Sequence, residues 1–185
     1  ILLNLDTEED DEIDIGCAGG VDVTATRSYN EEETPENSLA FTITVKGLKG
    51  GHSGMDIHKG LGNANKIMNR LLFDGFENFG LQIVEINGGS LRNAIPRESV
   101  AKVIISAIYE GAFQLDMQEV IDDIKIEFKT TEPNLTIEIN ETELPEKVMD
   151  LGVQEGLIRA IYAAHNGVYR MSADMADLVE TSNNI

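Results

Sequence analysis

The order in which the hydrophobic period changes along residues 39–139 limits this chain to very few folds. Leu39, Phe41, Ile43 and Val45 alternate with Ala40, Thr42, Thr44 and Lys46, the pattern of a half-buried strand. A glycine-rich connection, 47–54, follows. Leu61, Ala64, Ile67, Met68, Leu71 and Leu72 then keep a helical period, and Asp74-Gly75 reads as the helix end. Residues 81–86 form a second strand and 87–90 a turn. Pro96 precedes a third strand over 99–108. Met117, Val120, Ile121, Ile124 and Phe128 mark a second helix, with Asp116 as its N-cap. Leu135, Ile137 and Ile139 alternate with Thr136, Glu138 and Asn140 as a fourth strand.

The order is βαββαβ. Two split βαβ units of this kind give an α+β, ferredoxin-like fold: a four-stranded antiparallel sheet with both helices on one face. The other face is expected to be more polar, with Thr42, Thr44 and Glu138 on it. The sheet has edges free to pair. Edge or helix pairing across a two-fold axis would make a dimer.

The flanks read differently. Residues 1–20 suggest strand, acidic turn, strand, then Gly19-Gly20. Asp6, Glu8, Glu9, Asp10, Asp11, Glu12 and Asp14 crowd that turn and repel one another unless solvated or bound to cations. Alternation over 21–29 suggests a further strand, and 31–37 a polar loop broken by Pro35. Residues 144–164 read as a helix weakened by Gly152 and Gly156, ending at Asn166-Gly167, and a last strand begins at Leu178. Both ends fall within apolar strand patterns, which points to a segment excised from a longer protein. The expected division is 1–20 from a neighbouring domain, 21–141 as the compact unit, 142–171 as a helical connection of undefined role, and 172–185 as re-entry into the neighbour.

The net charge is −19, from 14 basic and 33 acidic residues. Such a surface repels phosphate backbones and anionic bilayers, so neither nucleic acid nor membrane is an expected partner. No apolar run reaches the roughly 20 residues needed to span a bilayer, and no signal-peptide pattern is present. The lone Cys17 forms no internal disulfide, which suits a reducing compartment. The acidity itself is first of all a solubility device.

Four motifs could carry chemistry. Asp6 ends an apolar strand, a place from which a carboxylate can meet a cation, although a solvated turn is the commoner reason for one. His52 sits in Gly50-Gly51-His52-Ser53-Gly54, where glycines let backbone approach a ligand and leave the ring projecting. Such a ring can donate a hydrogen bond to a developing oxyanion, or simply be a surface histidine. His58 and His165 lack metal-site spacing and read as structural. Around Asn93, in NGGSLRNAIPRE (87–98), Arg92 and Arg97 could clamp a carboxylate or form surface ion pairs. Arg170, after Asn166-Gly167-Val168-Tyr169, is another potential clamp. No serine stands in a nucleophile elbow, and Cys17 has no evident histidine partner.

Taken together, LLNLDTEE and GCAGG within 2–20, KGGHSGMDIHKG at 49–60, NGGSLRNAIPRE at 87–98, NGVYRMS and LVETSNN resemble the aminoacyl-histidine dipeptidases, carnosinase-like members of the M20 metallopeptidase family. The likeness runs nearly the full length and is weakest over 141–165. It implies a lid and dimerisation domain, ferredoxin-like, inserted in a catalytic α/β domain that holds two zinc ions per subunit. It implies a cytoplasmic homodimer acting on Xaa-His dipeptides through metal-activated water, with a glutamate base. By the same likeness Asp6 is a zinc ligand, His52 the lid histidine that reaches the partner subunit's site, Asn93 a substrate contact, and Arg170 the grip on the substrate carboxylate. The base and most zinc ligands of that family have no counterpart in these 185 residues, so the piece alone is expected to be inactive and to hold no zinc. Two other readings stay open: a non-catalytic ferredoxin-like dimerisation module, and the lid of another M20 peptidase or deacylase.

Overall fold

The computed structural model describes residues 19–185. In chain order they form β1 (Glu31–Glu33), β2 (Ser38–Lys46), β3 (Gly51–His52), α1 (Ala64–Phe79), β4 (Gln82–Gly88), β5 (Ala94–Ile95), β6 (Ser99–Ser106), α2 (Glu110–Glu127), β7 (Thr136–Thr142), β8 (Lys147–Met149), α3 (Leu151–Ala163), β9 (Gly167–Met171) and β10 (Val179–Asn183). The main sheet has the order β4-β6-β2-β7 with every neighbour antiparallel. β2 and β6, which open the two βαβ units, lie in the centre; α1 and α2 carry the chain over the sheet to its edges. This is the ferredoxin-like arrangement expected from the periodicity.

Alternation in β2 turns Phe41, Ile43 and Val45 toward the helices, and in β6 it turns Ala101, Val103 and Ile105 the same way. Ile67, Met68, Leu71 and Leu72 of α1 and Phe113, Met117, Ile121 and Ile124 of α2 close over them. The core is mostly aliphatic, with Phe41 and Phe113 at its centre, ring centroids 5.5 Å apart.

Both helices depart from their expected ends. α1 runs past Asp74-Gly75 and stops at Gly80, which takes φ 63° and donates its N–H to Phe76 O. Gly75 is a close-approach position inside the helix: a Cβ there would meet Leu81 Cδ1 at 2.6 Å. α2 begins at Glu110, led in by a 3₁₀ turn (Ala107–Tyr109), so Asp116 is no cap but lies within the helix. One buried carboxyl oxygen of Asp116 and one of Asp74 have no hydrogen-bond partner. Burial first, then the hydrogen bond and charge of Asp116, push the Asp74 carboxyl up to about 6. Below that pH a proton shared between the two carboxyls would satisfy both oxygens.

The other sheet face is not wholly polar. Val148 of β8 is buried against Ala40 and Ile104, with Val84 beside them. β8 in turn pairs with β1, a strand made of three glutamates where a loop was expected. Residues 21–29 form no strand; Val21 and Val23 are exposed, and alternation alone does not make a strand without a surface to cover.

The segment 142–171, expected to be a helical connection, holds β8, α3 and β9, with the helix starting only at Leu151, and α3 docks on α1 and on the β4 edge. The fully buried Gln154 accepts a hydrogen bond from Ile83 N–H at 2.6 Å and donates to Leu81 O at 2.7 Å, so a side-chain amide completes part of that edge. Lys66 of α1 donates to the carbonyls of Ile161, Tyr162 and Ala164 at the end of α3. A cation there complements the helix dipole. β9 and β10 form a separate antiparallel ribbon.

Candidate functional site

Two of the sequence motifs meet in a two-residue ribbon. β3 pairs with β5, placing Gly51 opposite Ile95 and His52 opposite Ala94. Ser53 N–H donates to Asn93 O at 2.8 Å and extends the pairing. His52 and Asn93 are thus brought to one end of the domain by backbone bonds between segments some forty residues apart in sequence. Gly50 takes φ 64° and lies against the aliphatic stem of Arg97, where a side chain would collide.

The His52 loop is tightly specified. His52 N–H donates to Asp56 Oδ2 at 2.7 Å, and Asp56 N–H returns a bond to His52 O at 2.9 Å. Asp56 Oδ1 pairs with Lys59 Nζ at 2.6 Å. The Lys59 hydrogen bond, then that from His52 N–H, hold the Asp56 carboxyl below the usual carboxylate range. Gly54 N–H and Met55 N–H both donate to His52 Nδ1 at 3.1 Å. With Nδ1 occupied as an acceptor, the neutral ring carries its proton on Nε2. The ring is half-buried and belongs to neither hydrophobic cluster. Its outward chemistry is that of a fixed N–H donor.

Asn93 is exposed, one residue from Ala94, the strand partner of His52. Arg170 lies exposed on β9, a strand that runs close to the 3₁₀ turn Ile57–Lys59 of the His52 loop, and its Nε pairs with Glu180 Oε2 of β10 at 3.0 Å. Its guanidinium is engaged across the ribbon β9–β10 and not by the His52–Asn93 pair. Arg92 pairs with Asp22, and Arg97 covers Gly50. His58 is exposed, and His165 Nε2 lies 3.1 Å from Val168 O. Asp6 falls outside the described residues.

An asparagine network ties the site to the chain's last residues. Asn63 caps α1, its Oδ1 accepting from Asn65 N–H and Lys66 N–H. Its Nδ2 donates to Asn166 Oδ1, Asn184 Oδ1 and Ile185 O. Asn184 Nδ2 donates to Ala94 O at 2.9 Å, beside Asn93. Sequence reasoning missed Asp56, Asn63 and Asn184. The i,i+4 spacing of His52 and Asp56 was a usable signal for the first; the asparagines gave none, because their partners are up to 122 residues away.

Among the described residues, no group of three or more His, Cys, Asp or Glu comes together as a metal site. Nor is any described helix long and apolar enough to cross a membrane.

A four-stranded antiparallel sheet backed by two helices, with an imidazole held in a glycine loop, defines a ferredoxin-like α+β domain. The chain belongs to the M20 peptidase dimerisation domain family, which matches residues 43–138 and so takes in His52, Asn63, Asn93 and most of the helix-facing core of the sheet. It is 39% identical over all 185 residues to the cytosol non-specific dipeptidase of Escherichia coli K12, of which it covers 38%. It superposes on the aminoacylhistidine dipeptidase of Vibrio alginolyticus with a TM-score of 0.81 and 37% identity, over 84% of this chain and 32% of that one. The chain thus spans about a third of the length of the relatives it matches.

Proposed function

We propose that this chain is the lid and dimer-forming part of a zinc-dependent dipeptidase, cytoplasmic and homodimeric, that hydrolyses Xaa-His dipeptides. The observation that carries this reading is the His52 ring, whose Nδ1 accepts from two backbone N–H groups, which leaves Nε2–H as the donor. A donor fixed before the reaction stabilises the charge that develops on a carbonyl oxygen in an acyl-transfer transition state, without reorganising. His52 does this work in the site of the partner subunit. Asn93, held next to it by the β3–β5 ribbon, contacts the bound dipeptide. Arg170 grips the substrate carboxylate after exchanging its Glu180 partner for it, a swap between two carboxylates at an exposed site. Asp6 is one zinc ligand; the others, and the base, come from the rest of the polypeptide. Bound zinc supplies an activated water and polarises the scissile carbonyl.

Two relatives bear names of different breadth, one non-specific and one aminoacylhistidine. The test is hydrolysis by the full-length protein of dipeptides with and without a C-terminal histidine. Turnover is expected to favour Xaa-His, to vanish on chelation and to return with zinc. Equal turnover of all dipeptides would remove the histidine preference. Full activity in chelator would remove the metal.

A further inference from the structure

Glu132 lies in the turn between α2 and β7, away from the surface of the site, and is 2% exposed. Its Oε2 accepts a hydrogen bond from Lys49 N–H at 2.8 Å, and its Oε1 accepts one from Gly62 N–H at 2.9 Å. Those two donors bracket the segment 49–62, which contains β3, His52, Asp56 and the 3₁₀ turn Ile57–Lys59. One carboxylate therefore pins both feet of the loop that carries the imidazole. The bonds are charge-assisted, stronger than the neutral bonds elsewhere in the loop. Glu132 is itself held in place: its N–H donates to Phe128 O at 2.7 Å and its carbonyl accepts from Leu135 N–H at 3.1 Å. At the loop's second foot a Cβ on Gly62 would meet Leu48 Cδ2 at 2.8 Å and Glu132 Cγ at 3.3 Å, so a larger residue there would have to push both side chains aside.

Glu132 takes part in none of the ion pairs found among the described residues. Burying a carboxylate without a counter-ion costs free energy. An apolar residue would fill that space at lower cost if packing were the only need. What an apolar residue cannot do is accept two N–H bonds from the two ends of one loop.

We propose that Glu132 is a positioning residue for His52: by clamping residues 49 and 62 it fixes the direction in which the imidazole N–H is offered to the reacting carbonyl. The inference rests on the role given to His52 above. Glu132 touches neither substrate nor metal, so its effect falls on the transition state and leaves substrate binding nearly unchanged.

The experiment is a double-mutant cycle in the full-length, zinc-loaded enzyme: Glu132→Gln, His52→Ala and the pair. Glutamine keeps the size and one acceptor, but sets an amide NH₂ against the other N–H. Glu132→Gln is expected to lower kcat by roughly tenfold, as a small misplacement of a reacting group does, with KM within about twofold. Added to His52→Ala, it should cost nothing more, because the group it positions is already gone. If the glutamine variant does not fold, Glu132→Asp carries the same test, since it keeps the charge but withdraws it from one donor. A wild-type kcat, an effect on KM alone, or losses that multiply in the pair would overturn the inference and leave the functional reading standing. A His52→Ala enzyme as active as wild type would instead overturn that reading, and this inference with it.

Discussion

Replacing His52 by alanine in the full-length protein is expected to lower kcat by on the order of a hundredfold or more, the loss seen when one oxyanion donor is removed. KM and melting temperature should change little. The ring contributes no core packing, and the Gly54 and Met55 N–H groups it leaves behind are exposed and turn to water. Asp56 still holds the loop through the backbone of residue 52 and through Lys59, so the β3–β5 ribbon survives the substitution. The outcome is read by steady-state kinetics alongside a thermal melt. A variant with wild-type turnover would take His52 out of the mechanism. A variant that melts early would mean that the ring serves the fold.

Phe113→Ala should produce the largest loss of stability. Phe113 is fully buried in α2, its ring 5.5 Å from that of Phe41 and 5.6 Å from that of Phe79, the latter edge-on at 89°. Truncation removes the buried ring, breaks two aromatic pairs and leaves a cavity where sheet and helix meet. The expected cost is about 3–5 kcal/mol, or a fall of on the order of 10 °C in melting temperature if the domain melts as one unit. Amide exchange in β2 and α2 of the full-length protein reports it locally. Protection equal to wild type would show that neighbouring side chains refill the space.

The sheet and its two covering helices were legible because each strand buries one face and each helix one stripe, and burial writes its period into the chain. The errors arose where a local residue type competes with that period. Asp74-Gly75 has the form of a helix stop, yet Phe76 and Phe79 carry the stripe onward and Gly75 is small because Leu81 lies against it. Asp116 has the form of a cap, yet Phe113, four residues before Met117, already belongs to the apolar face of α2. β1 was hidden because a strand of glutamates pairs through its backbone alone. The docking of α3 was hidden because Gln154, Asn69 and Lys66 make it through polar side chains, which have no period to read.

At the site, the glycine loop and the asparagine motif were legible one by one, since glycine and asparagine there answer to local backbone needs. Their juxtaposition was not, because it depends on four backbone positions pairing across the whole of α1 and β4. The partner of Arg170 was not legible either: a guanidinium in sequence has none, and in the fold it pairs with Glu180.

The most direct measurement is complementation between two dead subunits of the full-length protein. One carries His52→Ala with its metal centre intact; the other keeps His52 and has its metal centre disabled by substitution of the ligands. Mixed and allowed to exchange, they should form hybrid dimers in which the intact metal centre receives the imidazole of the other chain, and turnover should return. Turnover that stays at the level of the separate variants, with exchange verified by mass, would contradict the claim that this domain lends its histidine across the dimer.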